Sequence, residues 1–223
     1  MKSRHTLSAL VLALVSTIPA IAQDPVGTDR AHYKVLFEND AVRVLKISYA
    51  PGGKSTMHYH PDSIVVPLSA SNVRFHLPDG KSEDASLPSE SATYTPAGTH
   101  TPENIGKTVI DAVLIEFKSA TPGNAVLPTS RDNLTFKVLA EGPRAVAHRI
   151  TAAPGFQELA GSKHDYDQVV IALSAMPMSL SLDGAPARSA WARGDVQFIG
   201  RGVAHGARNT GGKPAEFVIV SIR

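Results

Sequence analysis

The segment Ser55–Val66, STMHYHPDSIVV, places His58 and His60 one residue apart at the mouth of an apolar, branched run. On a β-strand, residues i and i+2 share a face with their backbones about 6.5–7 Å apart. Two imidazoles so placed can converge on one ion through bonds of about 2.0–2.1 Å. Two ligands hold a metal poorly, and His100, after the strand-like ATYT and the turn PAG, is the candidate third. The chain has no cysteine, so a metal must be held by histidine, carboxylate or water, and no disulfide supports the fold. Asp62 is a candidate fourth ligand or base, with turn initiation as its competing role. Glu103 and Asn104 directly follow the third histidine and are candidates to orient an imidazole. Tyr59 points to the opposite face and is expected to pack. His32 and His148 are isolated and His76 lies on the polar face of the alternating NVRFHL, so all three are expected to be solvated imidazoles.

The elements that must position these groups come in two copies. YKVLFENDAVRVLKISYAPG from Tyr33 aligns with FKVLAEGPRAVAHRITAAPG from Phe136, and DSIVVPLSASNVRFHL from Asp62 with DQVVIALSAMPMSLSL from Asp167. His100, Asn104 and Gly106 fall on His205, Asn209 and Gly211, and DAVLIEFK falls on EFVIVSIR. A register kept this long is a tandem duplication. Short branched runs and period-2 alternation, with turn signals such as APGG, PDG, LDG and NTGG about every ten residues, predict strands throughout and a sandwich or barrel per copy. The expected organisation is a first domain over 30–118, a linker over 119–132 and a second domain over 133–223.

The N-terminal MKSRHTLSALVLALVSTIPAIAQDP has a basic start, a short apolar run and a small-x-small site, the pattern of a secretory signal peptide over 1–22 cleaved after Ala22. Its apolar run is short for a membrane span, which needs about 20 residues. A periplasmic or secreted protein, free of the membrane after cleavage, is therefore expected. Losing 1–22 removes Lys2 and Arg4 and no acidic residue, lowering the formal net charge from +2 to 0. No basic cluster remains to suggest nucleic acid.

These residues resemble the cupins. The first cupin motif is commonly written G-x5-H-x-H-x3,4-E-x6-G, and Gly52, His58 and His60 match it, whereas its acidic position falls on Ile64 or Val65. The second is commonly G-x5-P-x-G-x2-H-x3-N, matched by Pro96, Gly98, His100 and Asn104 with one residue fewer before the histidine. In the second copy Gly194, Gly202, His205 and Asn209 fit the second motif, with Gly200 in place of proline, while Gly161 and Lys163 stand at the positions of His58 and His60. A lysine there would put a cation in the pocket. The second copy is accordingly expected to be degenerate, with His164, Asp165 or Asp167, and His205 as a weak residual site.

The resemblance implies an all-β protein of two tandem double-stranded β-helix (jelly-roll) barrels, a bicupin. The first barrel is similar to the three-histidine cupins, which include acetylacetone and thiol dioxygenases. It further implies one divalent ion, with Fe(II) expected and Mn, Ni, Cu or Zn also suited to imidazole. The implied activity is a metal-dependent dioxygenase or lyase acting on a small organic molecule. The alternative is a non-catalytic module binding a small ligand or metal. Paired barrels of this kind could cover each other's sheets within one chain, and a homodimer is compatible with the same organisation.

Overall fold

The structure is a computed structural model that describes residues 23–118 and 125–223. The signal peptide expected over 1–22 and residues 119–124 of the expected linker lie outside the described residues. After a single helical turn, α1 (Pro25–Thr28), the first copy is all strand. Its strands are β1 (Tyr33–Glu38), β2 (Val42–Tyr49), β3 (His58–His60), β4 (Ser63–Pro67), β5 (Ser71–His76), β6 (Ser82–Leu87), β7 (Thr93–Thr95), β8 (Gly98–Asn104) and β9 (Ile110–Phe117). The second copy contributes β10 (Leu134–Glu141), β11 (Ala145–Ala152), β12 (Asp167–Ala172), β13 (Met178–Leu182), β14 (Ala185–Arg188), β15 (Val196–Ile199), β16 (His205–Asn209) and β17 (Ala215–Ile222).

The duplication holds in topology for all but one strand. The first copy pairs β1-β2-β9-β4-β7 in one sheet and β3-β8-β5-β6 in the other; the second pairs β10-β11-β17-β12-β15 and β14-β13-β16. One strand lacks a counterpart. Where β3 carries His58 and His60, the second copy has only the isolated bridge Ser162–His205. Gly52 and Gly155 end the matching APG turns at φ 76° each, a backbone region open to glycine at little cost.

The apolar runs are continuous because their strands are buried on both faces. Along β9, Ile110, Ala112 and Leu114 face the first barrel's interior, while Val113, Ile115 and Phe117 face outward. Those outward residues, with Val42, Val44, Ile64, Val66 and Leu68, form one core with Ala145, Ala147, Val169, Ile171, Val218, Val220 and Ile222 of the second copy. Phe37 and Phe198 stack across this contact with ring centroids 5.0 Å apart. The two five-stranded sheets therefore cover each other, as the sequence suggested. The next residue on the inward row of β9, after Ile110, Ala112 and Leu114, is Glu116, a carboxylate inside the barrel with 1% of its surface exposed.

Candidate metal centre

The pairing of β3 with β8 sets His58 directly opposite His100, and the strand period brings His60 to the same side. The three rings form a near-equilateral cluster with centroids 4.8, 5.3 and 5.3 Å apart. Each offers a ring nitrogen within 4.8 Å of the others'. His58 is fully buried, His60 is 5% exposed, and His100 is half-buried against Phe75.

The hydrogen bonds fix which nitrogen faces the centre. His58 Nδ1 lies 2.8 Å from the carbonyl oxygen of Thr56, which can only accept, so Nδ1 carries the proton and Nε2 a lone pair. His60 Nδ1 donates to Glu116 Oε1 at 2.6 Å, which leaves its Nε2 as a lone pair too. These two Nε2 atoms stand 3.0 Å apart. Two lone pairs at that distance repel unless a cation lies between them. Ligand atoms held at right angles by bonds of about 2.1 Å would be about 3.0 Å apart. The donor set thus fits a divalent ion. Burial first, and then the neighbouring His60, pushes the His58 pKa down to about 4 and that of His100 down to about 3, so both are neutral ligands near pH 7.

Glu116 is the functional residue that the sequence reading missed. It bridges the His60 ring to Arg43, whose Nε donates to Oε2 at 2.5 Å, and Arg43 in turn pairs with Asp24 at 2.6 Å. Its oxygens are engaged on His60 Nδ1 and Arg43, so it orients and polarises a ligand. Tyr33 is the other omission: its hydroxyl lies 3.0 Å from His58 Nε2, at the edge of the site. Of the two residues at the cupin acidic position, Val65 lines the cavity and Ile64 faces the second barrel.

The other nominated partners serve elsewhere. Asp62 accepts from the Tyr94 hydroxyl and the Ala97 amide, both at 2.8 Å, and so pins the turn before β8. Glu103 pairs with His76 and Lys54 on the barrel exterior. Asn104 donates to the carbonyls of Tyr49 and Thr108 and accepts from Gly106, closing a loop; it does not orient an imidazole. Asn209 repeats the arrangement with Ala152, Lys213 and Gly211. His148, expected in solvent, is 4% exposed, and His32 stacks on Tyr49 at 4.1 Å and binds Asp29. His76 is partly covered through Glu103. Tyr59 does face outward, at 37% exposure.

The second copy is offset by one residue from its expected alignment. The bridge Ser162–His205 matches His58–His100, so the equivalents of His58 and His60 are Ser162 and His164, one residue beyond the alignment read from the sequence. Lys163 is exposed and places no cation in the pocket. Asp165 is exposed too, and Asp167 accepts from the Arg201 amide. Brought together instead are Glu158, His164 and His205.

A cavity of about 100 Å³ in the first barrel reaches His60 and His100. Its walls are Ile47, Val65, Val73, Phe75, Leu87 and Leu114, with Tyr33 and Tyr49 among the polar groups. The second barrel encloses about 70 Å³ lined by Phe156, Met176, Met178, Trp191 and Phe217. No helix among the described residues is long and apolar enough to cross a membrane.

No sequence-family model matches the chain, and no curated protein matches it in sequence. Solved structures do. AerE from Microcystis aeruginosa superposes with a TM-score of 0.65 at 12% identity, over 86% of this chain and 97% of that one. A cupin 2 conserved barrel domain protein from Leptotrichia buccalis gives 0.57 at 12%, over 86% and 88%. Salicylate 1,2-dioxygenase from Pseudoaminobacter salicylatoxidans, solved with gentisate, gives 0.61 at 9%, over 83% and 70%. At these identities the likeness is one of fold. The chain has the two-barrel fold of the cupins, with a three-histidine group in its first barrel.

Proposed function

We propose that the protein is an exported, non-haem metal-dependent enzyme of dioxygenase-like activity toward a small organic molecule, with His58, His60 and His100 holding one divalent ion. The observation that carries this reading is the pair of inward lone pairs on His58 and His60, 3.0 Å apart, with His60 and His100 lining an apolar cavity. When bound, a dication with three neutral ligands keeps its full charge and open positions, and would polarise a substrate oxygen or activate dioxygen. Fe(II) is the proposed ion.

The chain's own groups supply the rest. Thr56 and Glu116 lock the two rings in the tautomer that presents Nε2. The apolar walls exclude water and accept a carbon skeleton of few atoms. Tyr33, its hydroxyl at the ligand atoms and its pKa raised well above the usual value by burial, remains a neutral donor able to hold a substrate oxygen. The experiment is oxygen uptake by Fe(II)-loaded protein against diketones, thiols and phenols. Turnover of one class, lost in His60→Ala, is expected. A loaded protein that binds these compounds without consuming oxygen would be a binding module instead.

A further inference from the structure

The second barrel carries a ligand set of a different kind. Glu158 precedes the segment equivalent to β3: its amide donates to the Ala207 carbonyl as that of Ser55 donates to Pro102, so a carboxylate stands where the first copy has Ser55. Ser162, at the place of His58, turns its hydroxyl to the Leu159 carbonyl. The lost imidazole is thus replaced by a carboxylate from a different position. His205 Nδ1 lies 3.1 Å from the Val203 carbonyl oxygen, so it carries the proton and Nε2 a lone pair. That lone pair faces Glu158 Oε2 at 3.6 Å, too far for a hydrogen bond. Oε1 accepts from Arg131 Nη2 at 2.8 Å, which leaves Oε2 as the carboxylate oxygen able to ligate. The His164 ring closes the set at 4.8 Å from that of His205. His205 is 4% exposed, and the Glu158 side chain 14%.

We infer that Glu158, His164 and His205 form a second, independent site for one divalent transition-metal ion, at the wall of the Trp191-lined pocket. Two facing acceptors otherwise without a shared proton invite a cation, and bonds of about 2.1 Å at a tetrahedral angle would set them about 3.4 Å apart. Counted over the ligands alone, one carboxylate lowers the charge to +1, against +2 in the first barrel, and two imidazoles with one carboxylate suit Fe(II), Mn(II), Co(II) or Zn(II).

The inference stands apart from the function proposed for the first barrel, and cobalt titration of the chelator-stripped full chain separates them. The unaltered chain is expected to take up two Co(II) per chain. The His58→Ala/His100→Ala double variant should keep one, and adding Glu158→Gln, which preserves shape, should weaken that one at least tenfold. Thermal unfolding followed by circular dichroism shows that the variants are folded. A double variant that takes up no Co(II), or whose remaining ion is indifferent to Glu158→Gln and His205→Ala, overturns the second site. If instead the unaltered chain takes up one ion, lost with Glu158→Gln and kept without His58 and His100, the first-barrel reading fails and this one stands.

Discussion

The two barrels share strand order, turns and the structural asparagine, yet their interiors have diverged at the positions that touch an imidazole. In the first, Glu116 orients His60 and is itself anchored by Arg43. The paired strands put Ser221 and Val146 at those places in the second. The second barrel has neither the acid nor the arginine, as expected when a buried carboxylate and its cation sustain one another: either alone would be an uncompensated buried charge, at about 3–5 kcal/mol. Ser162 stands at the place of His58, and Glu158 supplies a carboxylate from elsewhere. A barrel therefore keeps its frame while its ligand set is rewritten.

The comparison can be broken at several points. The largest effect is expected from His100→Ala, which leaves two ligands in the first barrel. Its metal affinity should fall more than about 100-fold, beyond the 10–100-fold typical of losing an outer partner, while the second barrel's ion is untouched; isothermal titration measures both. Glu116→Gln should weaken the first site by about 10–100-fold, whereas Ser221→Ala leaves both sites unchanged. A Glu116→Gln protein with undiminished affinity would reduce the acid to a partner of Arg43. Asn104→Ala and Asn209→Ala should each cost about 2 kcal/mol, because each leaves buried backbone groups unpaired. Equal shifts in the urea midpoint would confirm one structural role in both copies.

The smallest effect is on pH dependence. His58 falls from an ordinary 6.5 to about 4 in the folded chain, so unfolding takes up a proton between those values. Stability of the metal-free protein from this group is complete above pH 6.5 and declines as the pH drops toward 4. His100, lowered further to about 3, adds to the same decline. Urea midpoints at pH 7 and 4.5 should show it, and His58→Gln should lessen it.

Much of this was legible in the sequence. The repeat, the strand positions and the histidine trio follow from spacing, since a two-residue period fixes which side chains share a face. Glu116 escaped because it sits in AVLIEF, an apolar run whose burial on both faces hides the alternation that marks an inward residue. An acid in such a run is itself the signal. Lys163 was misplaced because the two copies differ in length between their first motif and Asp167, and a shift of one residue in a strand exchanges its faces. Asp62 and Asn104 have counterparts, Asp167 and Asn209, in the copy that lacks the three histidines, which already argued for roles in the frame.

The account's central claim is the three-histidine site, and metal analysis of purified Glu158→Gln protein tests it most directly, because that substitution leaves the first barrel intact. After saturation with Fe(II) or Co(II) and removal of excess, one tightly held ion per chain is predicted, reduced to none when His60→Ala is added. A Glu158→Gln chain without stoichiometric metal, or one whose ion survives His60→Ala, would contradict it.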